Sequence, residues 1–136
     1  MGTLMTSNTQ LLTEFTLQGG RLIDLEVLGS MTGYDDRFMQ QLIGMFLSSA
    51  PDTLEQAQEA LKENDKELVR SVVHKYKSSL NILGNTKLPA LAADIEQMAR
   101  NDAKTAVLAE KLQQLSAVTY AIMDELRAEL KRLEAA

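Results

Sequence analysis

The chain has no cysteine and no tryptophan, a single histidine and only two prolines in 136 residues. Without cysteine there is no disulfide, no thiolate metal site and no thiol nucleophile. One histidine cannot form a multi-histidine metal cluster, and no metal site is expected. Basic residues are not in excess. The 14 Lys and Arg stand against 19 Asp and Glu, a net charge of −5, which opposes binding to nucleic acid or to an anionic membrane surface. No apolar run approaches the roughly 18 residues that cross a bilayer; the longest notable one is Leu42 to Leu47. A secretory signal, with a basic start and a long apolar stretch, is not evident. Met1-Gly2 with Thr6 formally fits a myristoylation pattern, a short and common match. There is also no P-loop, no glycine-rich phosphate cradle and no kinase signature, so self-phosphorylation from ATP is not expected.

What remains is 45% hydrophobic and 24% charged, a globular composition long enough for one domain with its own core. Strands have no good home, because Asn-Gly and Asp-Gly turns are missing and strict alternation is rare. Helical spacing dominates. A polar lead, 1–20, ends at Gly19-Gly20 and is set apart from a bundle over 21–136. That lead is either an extra helix packed through Leu11, Leu12, Phe15 and Leu17 or a loose tail. A short apolar segment, Leu22 to Met31, closes at Thr32-Gly33. Residues 35–64 read as one long helix kinked at Pro51, or two abutting ones, begun by Asp35 and Asp36. Asn64 and Asp65 cap a helix from 65 to about 83, ended by Gly84 in the manner of a left-handed C-cap. Thr86, with Pro89 in the first turn, starts the next, which runs to Asn101-Asp102. The last covers about 105–133, with Leu108, Leu112, Leu115, Val118, Ile122, Leu126, Leu130 and Leu133 spaced by three or four. Short connections between long amphipathic helices predict an all-α fold: an up-and-down antiparallel four-helix bundle with a short extra N-terminal helix.

The lone histidine, His74, belongs to the stretch "SVVHKYKSSLNILG". On that helix Val69, Val72, Val73, Tyr76, Leu80 and Leu83 form the apolar face, and His74 lies about 160° from Tyr76 at 100° per residue. It faces water. Arg70 and Ser71 sit one turn before it, Lys77 and Ser78 one turn after, and no carboxylate lies within one turn along the helix. Such a strip disfavours a protonated ring and a bound cation, and favours an anionic group on the ring. General-base catalysis would need an orienting carboxylate and a pocket, and the helix alone supplies neither. A neutral imidazole nitrogen can attack phosphorus, with a nearby ammonium offsetting charge on the transferred oxygens. A plain solvated face is the bland alternative.

This stretch resembles the signature of histidine-containing phosphotransfer (HPt) domains: His, two residues, Lys, then Gly, a small residue, and Leu-Gly further along. His74 matches the phospho-acceptor, Lys77 the lysine, Ser79 the small position, and Leu83-Gly84 the Leu-Gly. Leu88, Leu91 and Ile95 keep the apolar register, and Glu96 falls where the family often places a polar side chain near the ring. Upstream, "IDLEVLGSMTGYDDRFMQQLIGMFLSSAPDTL" is similar to the family's lead-in. Ser78 stands where glycine is usual, so partner choice or rate is expected to shift. The resemblance covers about 22–133. It implies a non-enzymatic, cytoplasmic phosphocarrier, without cofactor, in a multistep two-component phosphorelay. His74 would take a phosphoryl group from a receiver-domain aspartate and pass it to another, with Lys77 stabilising the phosphoryl charge. Arg70, Ser71, Lys75, Ser78, Asn81 and Glu96 would form the docking surface. The implied partners are response-regulator receiver domains, which bring the Mg²⁺, and a hybrid histidine kinase. Two rivals stand beside it: a module of the same fold that docks receivers without being phosphorylated, and a hydrolase or transferase using His74 as general base.

Overall fold

A computed structural model describes residues 10–135, all-helical with turns and no strand among them. Four long helices make the bundle, preceded by a short helical segment over 10–15 and a short helix. The short helix α1, Leu25–Thr32, is begun by Asp24, whose carboxylate accepts the Glu26 amide at 3.0 Å, and is closed by Gly33 in the left-handed region. Helix α2, Asp36–Lys62, starts at Asp35, which accepts the Phe38 amide at 3.1 Å. It runs through Pro51 as one helix. Proline removes a helix hydrogen bond, but Phe46 and Ala50 before it and Leu54 and Ala57 after it are all buried in the core. Packing on both sides therefore holds the helix across the break.

Helix α3, Lys66–Ser79, is capped by Asp65, which accepts the Leu68 amide at 3.0 Å. The expected single helix to residue 83 does not persist. Leu80–Leu83 tightens into a 3₁₀ turn, which stacks residues three apart on one side and buries both Leu80 and Leu83. Gly84 ends it at φ 67°, and here glycine is required: a Cβ would come within 2.7 Å of Asp24 Cβ and 2.8 Å of Val27 Cγ2. The Asp24 amide donates to the Leu83 carbonyl at 2.8 Å, docking α1 onto this corner. Helix α4, Lys87–Arg100, follows Thr86, but the Thr86 side chain makes no capping bond. Asn85 does that work, accepting the Lys87 amide at 3.0 Å. Helix α5, Thr105–Ala135, has 31 residues, about 46 Å at the usual rise.

Each long helix packs on its two neighbours in the order α2, α3, α4, α5 and back to α2. Contacts such as Lys66–Asp102 between α3 and the end of α4, and Gln58–Ser116 between α2 and α5, run in opposite chain directions, as an up-and-down bundle requires. Inside, the Tyr76 ring stacks on Phe46 with centroids 6.3 Å apart, and its hydroxyl meets that of Thr119 on α5 at 3.0 Å.

The first nine residues of the expected 1–20 extension lie outside the described residues. Residues 10–15 are helical, Phe15 is buried, and Leu11 and Leu12 pack partly on the core. The segment is tied to the bundle by buried Asn85, whose amide donates to the Phe15 and Leu22 carbonyls at 2.8 Å each. Glu125 on α5 accepts the Leu22 amide at 3.0 Å and the Ile23 amide at 3.3 Å. Leu22 and Ile23, placed by their apolarity in the first segment, thus precede α1 as buried non-helical residues.

Candidate functional site

Val69, Val72, Val73 and Tyr76 turn the inner face of α3 into the core, which leaves His74 outward with 62% of its side chain exposed. The wheel of α3 offers this ring no carboxylate. The tertiary fold does. Glu96 of α4 places Oε1 2.6 Å from His74 Nδ1. A donor is needed for a contact this short to a carboxylate, so the proton of the neutral ring belongs on Nδ1 and the lone pair on Nε2.

The resemblance placed Glu96 near the ring as well as on the docking surface, and it does lie against the ring. Its side chain is 8% exposed, however, and lies beneath the ring, in the buried stripe of α4 with Ala92, Ile95 and Ala99. Lys77 Nζ sits 2.8 Å from the other oxygen, Oε2, as a charge pair whose angles fall short of a directed hydrogen bond. Burial by itself pushes the Glu96 carboxyl up. The contacts from Lys77 and His74 outweigh it and hold the carboxyl below its ordinary value. The result is a carboxylate that stays charged under cover, with an ammonium on one oxygen and an imidazole on the other.

The other expected residues spread around this centre. Arg70 is half-buried and forks its guanidinium onto Glu67, three residues back, with Nε 3.2 Å from both carboxylate oxygens. Ser71 and Lys75 line a groove of about 270 Å³ between α2 and α3, opposite Ser49, Thr53 and Gln56. Ser78 and Asn81 are exposed. The structure therefore brings His74, Lys77 and Glu96 into contact and leaves Ser71, Lys75, Ser78 and Asn81 as surface around them. Neither the recess of about 750 Å³ at the α1 end nor the α2–α3 groove includes His74. Among the described residues no group of three or more His, Asp or Glu side chains converges as a metal would require.

The Glu67 tether on Arg70 lay outside the sequence expectations, although an acidic residue three before an arginine is a recognisable helical pair. Glu96 near the ring was expected from the family resemblance, and the spacing agrees with it. His74 lies ten residues before Gly84 and Glu96 ten after Thr86, so an antiparallel hairpin sets them level.

A model of the Hpt domain matches residues 41–136. The chain belongs to the Hpt domain family. That family supplies the phosphotransfer carriers of phosphorelays, carriers as opposed to enzymes in the ordinary sense. In fold, this Hpt domain is similar to the crystal structure of histidine-containing phosphotransfer protein B from Pseudomonas aeruginosa. The TM-score is 0.71 at 19% identity, over 81% of this chain and 95% of that one. No curated protein matches the chain in sequence. Among the described residues, no helix of this Hpt domain is long and apolar enough to cross a membrane.

Proposed function

We propose that His74 carries the phosphoryl group, accepting it on Nε2 from a receiver-domain aspartate and passing it to a second receiver. The observation that carries this reading is an outward ring whose Nδ1 is engaged by a covered carboxylate, leaving the nucleophilic nitrogen toward solvent. A nucleophile held by an orienting partner on its other side is the general arrangement of activated side chains. Here no cavity is needed, because the partner's active site closes over the convex helix and supplies the metal ion and the aspartate.

Lys77 brings positive charge to the same side one turn on, and its flexible stem spans the distance from Glu96 to oxygens transferred onto the ring. Arg70, Ser71, Lys75, Ser78 and Asn81 form the surface a receiver covers, with small hydroxyl side chains at Ser71 and Ser78 permitting close approach. Serine at 78 adds a hydroxymethyl group where glycine is usual, which tunes docking distance and hence the choice of receiver. The receivers and a hybrid histidine kinase are the expected partners in the cytoplasm.

The test is transfer from a phosphorylated receiver to wild type and to His74→Gln, with binding measured separately. Wild type is expected to become labelled, and the variant to bind the receiver normally and take no label. A wild type that binds receivers without labelling would instead make this a silent docking module, and label on the His74→Gln variant would displace the acceptor to another residue.

A further inference from the structure

Once the ring is phosphorylated, its remaining proton decides how readily it lets go. Attack by the Nε2 lone pair forms the N–P bond as the acyl P–O bond breaks, and that electron pair returns to the receiver's carboxylate. The ring keeps its Nδ1 proton and becomes a phosphoimidazolium. If the proton stays, the next carboxylate attacks phosphorus, the N–P pair falls back onto Nε2, and neutral imidazole leaves. No proton has moved. If the proton is lost, the leaving group would be an imidazolide anion, and the phosphorylated ring becomes a slow, stable store.

We infer that Glu96, kept ionised by its pairing with Lys77, holds the proton on His74 Nδ1 throughout the cycle, making the phosphorylated form a short-lived intermediate for onward transfer. The inference rests on His74 being the acceptor, and extends that reading to the lifetime of the phosphorylated ring. Three features support it. The carboxylate is 2.6 Å from Nδ1, within reach of a strong charge-assisted hydrogen bond to an imidazolium. It is covered, so water screens the attraction less from the carboxylate's side. It has its own counter-ion, Lys77 at 2.8 Å, which keeps it ionised despite burial. Arg70, although forked onto Glu67, adds attraction to Glu96 from further away. The charged groups that act on the ring and its carboxylate are thus Glu96 from α4 with Lys77 and, from further away, Arg70 from α3. Lys77 accordingly acts through Glu96 as well as toward the phosphoryl group, and Glu96 is a positioning residue that need not touch phosphate.

The experiment loads the intact chain with phosphoramidate, a small donor of phosphoryl groups to histidine. Phosphorus NMR then follows decay, and transfer to a receiver, between about pH 5 and pH 8, where imidazole protonation normally changes. Wild type should decay at a nearly constant rate across that range. Glu96→Gln should match it at the acid end and become longer-lived and slower in transfer as pH rises, by about tenfold for each unit lost from the ring pKa. Glu96→Asp, which keeps the charge but draws it back from the ring, should give an intermediate profile and serves if Glu96→Gln does not fold. Nitrogen NMR of the unphosphorylated ring should find the proton on Nδ1 in wild type and shared between the two nitrogens in Glu96→Gln. Superimposable pH profiles for wild type and both variants, with His74 labelled in all, would overturn this inference alone. A wild type that takes no phosphoryl group from phosphoramidate or from a receiver would overturn the carrier reading and this inference with it.

Discussion

Helix α3 carries two side-chain hydrogen bonds only two residues apart, and they face opposite environments. Inward, the Tyr76 hydroxyl meets Thr119 at 3.0 Å in the core. Outward, His74 meets Glu96 at 2.6 Å with its ring mostly in water. The inner pair is neutral and fully covered, so it gives up no charge to the core and ties α3 to α5 across the bundle. The outer pair is charged on one side only and covered on that side only. A buried neutral pair has one state at every ordinary pH, which suits a structural tie. A covered carboxylate under an exposed imidazole has a protonation state that matters to a visiting reactant, which suits chemistry.

Substitutions can break that contrast, and the largest expected effect belongs to neither pair. Leu80→Ala removes a fully buried side chain from the 3₁₀ turn and should cost about 2–5 kcal/mol, read as a shift in urea midpoint. Tyr76→Phe should cost about 1–3 kcal/mol, because it strands the Thr119 hydroxyl in the core, while the transfer rate per folded molecule stays near wild type. A large transfer defect in Tyr76→Phe would show that the inner pair also serves the chemistry. His74→Gln should change stability by about 0.5 kcal/mol or less, although it removes all transfer. If it unfolded the domain, the outer pair would be structural too.

The pairs should also separate along the pH axis. Glu96 has a folded pKa below its ordinary value of 4.5, so the unfolded chain binds its proton more readily. Its contribution is present above the unfolded value and is lost as pH falls through the folded one. Tyr76 is the reverse. Burial raises its pKa above the ordinary 10.0, against a smaller lowering from the Thr119 bond. The folded chain keeps that proton longer, and stability falls as pH rises beyond the unfolded value. Urea titrations of Glu96→Gln and Tyr76→Phe should therefore flatten the acid and alkaline limbs of the stability curve respectively. Identical limbs in variant and wild type would remove either group from that role.

Much of this was legible along the chain because a helix repeats every few residues. The stripe from Leu108 to Leu133 on α5, the acidic start of α2 at Asp35 and Asp36, Asp65 as a cap, and the outward direction of His74 all depend on neighbours within one or two turns. The same locality explains the misses. Asn85 and Thr86 are both good capping residues, and local sequence does not say that Asn85 will be the one to cap α4. The 3₁₀ turn at Leu80–Leu83 comes from the corner where Gly84 must pass Asp24 and Val27, some sixty residues earlier in the chain.

The acceptor site divides along the same line. Which ring is exposed, and that cations surround it, followed from the sequence, since both are properties of one amphipathic helix and its 100° step. Which nitrogen is free, and whether Lys77 meets a carboxylate, needed α4 to fold back and set Glu96 level with His74. Its place in the apolar stripe of α4 marks Glu96 as covered, but covering alone does not name its partners. A carboxylate 22 residues away in sequence reaches the ring only through the antiparallel packing of two helices, and a Coulomb interaction depends on distance in space and on the water excluded between the charges.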